Sequence, residues 1–197
     1  MFFDFRKVKH YKNAVSEISI DNVLNCAKPQ LKDQDATDLG QICNGKYIDI
    51  SSFTHSIKPL EIQVQTLVEK HHKVKCNLVE VMFIHYINGS HHKPHTDGQF
   101  LQNGYAVPGN DRDLTAVLYL NDDYEGGELY FTFLDLKIKP SKGDVITYPT
   151  TFQYRHGVNP VLGNRYVLTF WFTSDPKINV PIKITDNTII KTLSAFK

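Results

Sequence analysis

The sequence predicts a mainly β protein, a sandwich or barrel with helices packed against its outside. Three observations support this fold class. The hydrophobic period changes from 3.6 to 2 after the second predicted helix. Short apolar runs then alternate with turn signals, as in all-β domains. The chain also contains 12 Phe and 10 Tyr, residues that are typical of strands.

The N-terminal third is expected to supply the helices. Met1 to Asn13 predicts an edge strand or an extended lead-in. Ser19-Ile20-Asp21 predicts the cap of a short helix from Asn22 to Ala27, which Pro29 would end. Residues 30–50 are polar and predict a loop with one short strand near 47–50.

Ser56 to Lys70 predicts the longest helix. Its apolar residues recur at helical spacing, with Pro59 in the first turn and Lys70 near the end. The following pair, His71 and His72, predicts a solvated helix end.

The remaining chain predicts strands separated by turn residues. Gly98 to Asp113 is an exception, predicted as a long polar loop and a candidate mobile lid. The tail after Asp175 predicts an added edge strand or a cover for the core. The predicted strands are 77–86, 115–120, 129–133, 137–139, 144–148, 154–159 and 165–173.

At 197 residues and 22.6 kDa, the chain fits one domain. Residues 1–74 would form a helical and extended support, 75–175 the core, and 176–197 a tail. The net charge of +1 gives no electrostatic case for a polyanionic partner such as nucleic acid. No apolar run is long enough for a membrane span, and no signal peptide is recognisable. Three scattered cysteines suit a reducing compartment, so a cytoplasmic location is expected.

The segment around His95 and Asp97 predicts one half of a metal site. In an extended chain, residues i and i+2 point to the same side, so an imidazole and a carboxylate would face one point. A third ligand must come from elsewhere, and His156 is the best candidate. Two His and one carboxylate on one side of an ion leave the other side open, as in non-haem Fe(II) oxygenases. By itself the short motif also fits a solvated, His-rich loop.

Arg165 is predicted to face the interior. The turn at Gly163-Asn164 would return the chain antiparallel to the strand that carries His156, and Arg165, Val167, Thr169 and Trp171 would share one face. A buried guanidinium must be paired, either with a protein carboxylate or with an acidic ligand. The residues alone leave both pairings open.

Several separated motifs occur together in one order. They are Tyr86-x-x-Gly89, Pro94-His95-Thr96-Asp97, Arg112, Thr115, Leu118 to Asn121, Tyr124 to Phe131, Lys139-Pro140, Gly143-Asp144, Tyr148-Pro149, His156-Gly157-Val158-x-Pro160-Val161-x-x-Gly163-x-Arg165-Tyr166, and Trp171. With these motifs, the chain from about Val79 to Thr173 resembles the Fe(II)- and 2-oxoglutarate-dependent dioxygenases, in particular the prolyl 4-hydroxylase-like branch.

The resemblance implies a double-stranded β-helix, or jelly-roll, core. It implies that His95, Asp97 and His156 bind Fe(II), and that Arg165 and Tyr86 bind the far carboxylate of 2-oxoglutarate. Thr115, Tyr119 and Trp171 match or neighbour positions that line the pocket. Such enzymes use Fe(II), 2-oxoglutarate and O₂, with ascorbate as an accessory reductant in some cases. They couple decarboxylation of the cosubstrate to hydroxylation of a C–H bond.

The chain departs from its relatives near the substrate. Relatives that act on peptidyl proline often have an aromatic residue three positions before the first iron ligand, where this chain has His92. The segment 98–113 matches no relative in sequence. Arg112 is a candidate contact to a peptide carbonyl, and equally a surface arginine.

Three functions therefore stand as hypotheses. The first is hydroxylation of a peptidyl side chain, in particular proline, with hydroxylation of a small molecule or free amino acid as a variant. The second is oxidative demethylation of nucleic-acid bases, although Trp171 and Phe172 stand where that branch has a second Arg. The third is a jelly-roll binding module with a structural metal, which predicts a closed site and a protein partner for Arg165.

Overall fold

The computed structural model of the protein describes residues 7–31, 37–39, 42–48 and 50–184. In this part of the chain the change from helix to strand falls between His72 and Lys75, as the hydrophobic period predicts. The helices are α1 (Glu17–Ala27) and α2 (Thr54–His72), and short 3₁₀ turns lie at Lys28–Leu31, Ser51–Phe53 and Phe152–Tyr154. The strands are β1 (Lys9–Tyr11), β2 (Thr37–Leu39), β3 (Ile42–Ile48), β4 (Lys75–His95), β5 (Gln99–Gln102), β6 (Tyr105–Pro108), β7 (Leu114–Tyr119), β8 (Glu125–Gly126), β9 (Leu129–Phe131), β10 (Leu136–Ile138), β11 (Val145–Pro149), β12 (His156–Val158), β13 (Val161–Leu162), β14 (Arg165–Asp175) and β15 (Ile182–Lys183).

Helix α1 begins earlier than the sequence predicts. Its N-cap is Ser16, whose hydroxyl accepts a hydrogen bond from the Ser19 amide at 3.3 Å, so the predicted cap within Ser19-Ile20-Asp21 was wrong. Both serines satisfy the residue preference of a cap, and only the backbone conformation distinguishes them. Pro29 lies in the 3₁₀ turn that follows α1.

Helix α2 also begins before its predicted start, at Thr54, so Pro59 lies in its interior and not in its first turn. Its buried stripe continues through Val64 and Val68 to His72, which is only 7% exposed. The predicted solvated end was therefore wrong for His72, because the four-residue spacing of the stripe extends to it. His72 Nε2 lies 3.1 Å from Thr147 Oγ1. Burial lowers the pKa of His72 to about 3.

Strand β4 is the central element of the sheet. Its 21 residues pair with β14 over Lys75 to Tyr86 and with β12 near its end, at His92 and His95. Strand β3 pairs with β4 as well. Because the two halves of β4 belong to different parts of the sheet, the antiparallel sheet curls over and encloses an interior. Its strand order is β1-β11-β7-β14-β4-β12-β9-β10.

Alternation along the strands divides the apolar residues between two cores. In β14, Leu168 and Phe170 face the helices, whereas Val167 belongs to the interior of the curled sheet. Strand β7 divides in the same way, with Leu118 outside and Tyr119 inside. One core therefore fixes the helices to the sheet, and the other surrounds the interior cavity described below.

The segment 98–113 is mostly a hairpin and not the predicted loop. Strands β5 and β6 pair with each other, and β15 pairs with β6. Asn103 and Gly104 form the turn with positive φ values of 48° and 77°, as a two-residue hairpin turn requires. The Asn-Gly pair is the local signal that the prediction overlooked.

The turn at Gly163-Asn164 does not connect adjacent strands as predicted. Strand β13 pairs with β8, and β14 pairs with β4 and β7 instead of with the strand that carries His156. Strands β12 and β14 both pair with β4, so Arg165 and His156 line one cavity although their strands are not neighbours.

The chain ends follow the predictions where they are described. Strand β1 lies at the edge of the large sheet, and β15 is an added edge strand. The short strand predicted near residues 47–50 is β3, which begins at Ile42. Residues 1–6 and 185–197, parts of the predicted lead-in and tail, lie outside the described residues. Among the described helices, none has the length and apolar character needed to cross a bilayer.

Candidate metal centre and its two cavities

Three side chains converge at the end of β4. His95 is the last residue of β4, and Asp97 lies two residues further along the chain. His156 begins β12, and its Cα pairs with that of His95. Asp97 Oδ1 lies 3.1 Å from His95 Nε2 and 3.8 Å from His156 Nε2. One nitrogen or oxygen from each residue lies within 4.8 Å of the others. This spacing suits ligands of a common metal ion.

Backbone carbonyls orient both imidazoles. His95 Nδ1 lies 2.9 Å from the Lys93 carbonyl, and His156 Nδ1 lies 2.9 Å from the Tyr154 carbonyl. A carbonyl oxygen only accepts, so each Nδ1 carries the hydrogen and each Nε2 keeps its lone pair for a metal. The two histidines are thus fixed in the tautomer that suits the shared point.

The carboxylate is oriented in a comparable way. The Thr115 hydroxyl donates to Asp97 Oδ2 at 2.6 Å, which leaves Oδ1 facing the histidines. Asn110 Nδ2 donates to the Asp97 backbone carbonyl at 3.0 Å. Thr115 is fully buried and contacts the cavity through Asp97, so its predicted pocket-lining position stays a prediction.

The charges of the three residues suit metal binding. Burial alone would raise the pKa of Asp97, but His156 and His95 hold it below its usual value. Burial lowers the pKa of His156 to about 4, with Asp97 opposing this shift and His95 adding to it. At neutral pH the site therefore holds a carboxylate beside a neutral His156 imidazole, the forms that bind metals. The donor set of two nitrogens and one oxygen, without a thiolate, fits a non-haem iron.

A cavity of about 440 Å³ lies beside the three residues, inside the curled sheet. Arg165, Val167, Thr169 and Trp171 all line it, so the predicted shared face is observed. Arg165 is 1% exposed, and no carboxylate in the described part of the chain lies within ion-pair distance of it. Its Nε and Nη1 atoms are buried without hydrogen-bond partners there. A buried, unpaired guanidinium favours an anionic ligand.

Tyrosines surround this guanidinium. Arg165 Cζ lies 4.5 Å from the ring centre of Tyr86 and 5.1 Å from that of Tyr119. The buried hydroxyls of Tyr119 and Tyr124 make no well-formed hydrogen bond among the described residues, although both lie near enough to the guanidinium to interact with it. Burial raises the pKa of both Tyr119 and Tyr124, so each remains a neutral donor. The cluster offers a carboxylate one cation and the neighbouring Tyr119 hydroxyl, which lines the same cavity.

Trp171 lies further along β14, where it pairs with Thr115 of β7. Arg112 Cζ lies 3.9 Å from the centre of a Trp171 ring, and Arg112 also pairs with Glu80. The Trp171 indole N–H is buried without a partner in the described chain. Arg112 therefore lines the cavity, as its candidate role requires, but it is already held by two protein contacts.

His92 lies against the first histidine of the site. Its ring stacks on His95, with centres 3.8 Å apart and planes 18° apart. The Tyr86 hydroxyl lies 3.3 Å from His92 Nδ1. Burial lowers the pKa of His92, and neighbouring His95 lowers it further. The stacking holds the His95 ring in place, and His92 itself lines the first cavity.

A second cavity of about 440 Å³ adjoins the first. His95, Thr96, Asp97 and Asn110 line both, so the metal centre lies at their junction. The walls of the second cavity combine polar and apolar groups and come from the β5–β6 hairpin and the chain around it. They include Phe100, Leu101, Ala106, Phe152 and Ile184.

Sequence reasoning missed three residues of this site. The Tyr148 hydroxyl lies 3.0 Å from His156 Nε2, Tyr124 lies beside Arg165, and Glu80 holds Arg112. Tyr148 and Tyr124 are within the motifs of the resemblance but were given no role. Strand alternation could have identified Tyr148, since Ile146 of the same strand faces the interior as well.

Comparison with known families supports the resemblance. Residues 81–173, slightly less than half of the chain, match the model of the 2OG-Fe(II) oxygenase superfamily. The match contains all three candidate ligands and Arg165.

Two curated relatives are prolyl hydroxylases. Human prolyl 3-hydroxylase 2 is 45% identical over 71 residues, 33% of this chain and 10% of its own length. Chicken prolyl 3-hydroxylase 1 is 36% identical over 88 residues, 42% of this chain and 12% of its own. The chain thus spans about one-tenth of the length of these relatives.

Solved structures share the fold at low identity. The collagen prolyl hydroxylase of Paramecium Bursaria Chlorella virus-1, in its 2OG complex, superposes with a TM-score of 0.66 at 20% identity, over 87% of this chain and 98% of its own. A prolyl hydroxylase of Trichoplax adhaerens, in complex with a hypoxia inducible factor peptide fragment, has a TM-score of 0.69 at 19% identity, over 88% of this chain and 86% of its own. The predicted jelly-roll core with outer helices is confirmed.

Proposed function

We propose that this chain, a relative of the 2OG-Fe(II) oxygenases through residues 81–173, is an Fe(II)- and 2-oxoglutarate-dependent dioxygenase that hydroxylates prolyl residues of a peptide or protein. One observation carries the proposal. An oriented two-histidine, one-carboxylate site shares a cavity with a buried arginine that has no carboxylate partner in the described chain. A structural metal module would need neither the cavity nor the unpaired arginine.

His95, Asp97 and His156 would hold the iron. Bound Fe(II) would supply the activation of O₂ and the oxidative decarboxylation of 2-oxoglutarate to succinate and CO₂ that drive hydroxylation. The carbonyls that fix His95 and His156, and the Thr115 hydroxyl that fixes Asp97, keep the ligand atoms aimed at one point before the metal arrives.

Arg165 would anchor the far carboxylate of 2-oxoglutarate. Its Nε and Nη1 atoms and the Tyr119 hydroxyl supply donors on one side of the first cavity, and Tyr124 lies beside the guanidinium. Charge-assisted hydrogen bonds of this kind are shorter and stronger than neutral ones. Burial of the cluster excludes water, which strengthens the attraction between guanidinium and carboxylate. Tyr86, which pairs with Arg165 across β4 and β14, would hydrogen-bond to the same carboxylate, and Trp171 would line the cavity.

The substrate would approach from the second cavity. That cavity meets the first at His95 and Asp97, and its mixture of apolar side chains and polar groups suits a peptide, which presents both. Arg112 and His92 line the first cavity close to this junction and are the proposed contacts to substrate. Prolyl hydroxylation of peptides is what the names of the relatives suggest. Demethylation of nucleic acid is less well supported, because Trp171 occupies a position where that branch has a second Arg.

The test is a 2-oxoglutarate turnover assay with proline-rich peptides, free proline and methylated oligonucleotides as substrates. We expect succinate release that depends on peptide, with one added oxygen on proline by mass spectrometry. Nuclear magnetic resonance of the product would identify carbon 3 or 4 as the hydroxylated position. His156→Ala should abolish turnover while it preserves the circular dichroism spectrum. Turnover with oligonucleotides alone, or full activity of His156→Ala, would contradict the proposal.

We further propose that residues 1–197 form one catalytic domain and that it works in the cytoplasm. Cys26 and Cys76, the two cysteines whose side chains are described, are both free. Burial raises the pKa of the Cys76 thiol to about 12, which makes it unreactive. Fractionation of cells that express the tagged chain would test the location, and recovery in a secretory fraction would contradict it.

A further inference from the structure

A segment near the end of the described chain crosses the β5–β6 hairpin. We call residues 177–184 the strap. Asn179 Nδ2 donates to the Gly98 carbonyl at 2.8 Å and to the Arg112 carbonyl at 3.0 Å. Further along, the Ile184 amide donates to the Gly104 carbonyl at the hairpin turn, at 2.9 Å. The strap is therefore bound at the base of the hairpin and at its tip.

Asp113 fixes the position of the strap. Its side chain is fully buried, and its Oδ1 accepts the backbone amides of Ile178 and Asn179 at 3.2 and 2.7 Å. Its Oδ2 accepts the Ser174 amide at 2.8 Å. Three backbone donors on one carboxylate define the path of the chain, and this path sets where the Asn179 side chain points.

The two carbonyls bound by Asn179 are the two ends of the hairpin segment. Gly98 follows the candidate ligand Asp97, and Arg112 lies against Trp171 in the first cavity. A Cβ on Gly98 would lie 2.4 Å from the Arg112 carbonyl and 2.7 Å from Asn179 Nδ2. The ends are therefore packed as closely as glycine allows. Asn179 is 7% exposed, so water does not replace its amide readily.

The same hairpin carries the apolar wall of the second cavity. Phe100 and Leu101 belong to β5 and Ala106 to β6, and all three line that cavity. A change in the base of the hairpin would move this wall relative to the metal centre. It would leave Arg165 and Tyr119, which lie on β14 and β7, in place.

We propose that Asn179 is a positioning residue for substrate binding: its side-chain amide closes the base of the β5–β6 hairpin and thereby sets the distance between the substrate cavity wall and the metal centre. This inference rests on the proposed function for its substrate. It concerns no metal ligand and no contact to the cosubstrate.

The test compares Asn179→Ala and Asn179→Asp in the full chain. The Asp variant keeps the size of the side chain but replaces the two N–H donors with a carboxyl group, which cannot donate when ionised and supplies one donor at most when protonated. We expect both variants to raise the KM for peptide about tenfold, because two hydrogen bonds are lost, while the KM for 2-oxoglutarate changes less than about twofold. Asn159→Ala is the matched control, because Asn159 binds Glu128 away from the hairpin at 2.9 Å.

Hydrogen exchange supplies a readout that does not depend on activity. In the Asn179 variants, amides of residues 99–108 should exchange about tenfold faster, and amides of residues 114–119 should be unchanged. Unchanged exchange and unchanged peptide KM would overturn the inference. So would equal increases in both KM values with faster exchange throughout, because that result indicates general destabilisation. If the wild type acts on no peptide, the proposed function fails, and unchanged hairpin exchange would still overturn the positioning role.

Discussion

At the scale of single residues, the buried guanidinium of Arg165 indicates an acidic ligand, because no carboxylate of the described chain pairs with it. The guanidinium is buried among three tyrosines, and its charge is unmatched by any carboxylate of the described chain. A charge in this position is costly for a protein that has no ligand to bind. The sequence offered a protein carboxylate and an acidic ligand as alternatives, and the structure favours the ligand.

Arg165→Gln should raise the KM for 2-oxoglutarate about 10- to 100-fold, because it removes charged hydrogen bonds to the carboxylate. Arg165→Lys keeps the charge and should have a smaller effect. Steady-state kinetics at saturating peptide measure both values. A 2-oxoglutarate KM of Arg165→Gln equal to that of the wild type would be incompatible with the anchor.

Thr115 acts on the site through Asp97. Thr115→Val removes the hydroxyl that holds Asp97 Oδ2 and keeps the side-chain shape, so the carboxylate is free to rotate. We expect metal affinity to fall about tenfold. Calorimetric titration with Mn²⁺ measures the affinity, and Thr115→Ser, which keeps the hydroxyl, is the control. If Thr115→Val bound the ion as tightly as the wild type, the hydrogen bond would have no orienting role.

At the scale of elements, the position of β4 between β12 and β14 determines the site. Strand β12 contributes His156, β14 contributes Arg165, and β4 ends at His95. The prediction of a hairpin at Gly163 was wrong. His156 and Arg165 nevertheless line the same cavity, because β12 and β14 each pair with β4. Alternation along each strand then selects which side chains face the cavity.

The apolar stripe of helix α2 ends at the buried His72. This burial predicts that the free energy of unfolding depends on pH. The pKa of His72 is about 3 in the folded protein, below its ordinary value of 6.5 in the unfolded chain. Between these values the unfolded chain binds the proton, so the free energy of unfolding decreases as pH falls. One such group lowers the free energy of unfolding by about 1.4 kcal/mol for each unit by which the pH falls in this window.

His72→Gln should therefore flatten the pH dependence of stability between pH 3 and 6.5, while an amide donor to Thr147 is kept. Urea denaturation at several pH values measures the slope. His55→Gln, on the exposed side of α2, is the control and should follow the wild type. Identical slopes for His72→Gln and the wild type would show that His72 is not buried as described.

At the scale of the whole molecule, the metal site joins separate parts of the fold, so metal binding should stabilise all of it. A divalent ion at about 100 times its Kd adds about 2.7 kcal/mol to the free energy of unfolding. For a chain of this size the melting temperature should rise by about 5–10 °C. Thermal unfolding with Mn²⁺, before and after chelation, measures the shift. His156→Gln should remove it, and a shift that persists in this variant would place the ion elsewhere.

The sequence by itself determined the residue types of the site and the faces on which they lie. Periodicity gave the helices and strands, and the motifs gave His95, Asp97, His156 and Arg165. The prediction was wrong where a local pattern fitted two structures equally well, as at the N-cap of α1 and at the C-terminal end of α2.

Only the tertiary structure decided which partners those residues have. Within the described residues, no carboxylate lies beside Arg165. The hydrogen bond from Thr115 to Asp97 and the hydrogen bonds from Asn179 to the base of the hairpin join residues far apart in the chain. The physical reason is that spacing in sequence fixes the direction of a side chain within its own element. Which element lies opposite depends on how the strands pair across the sheet.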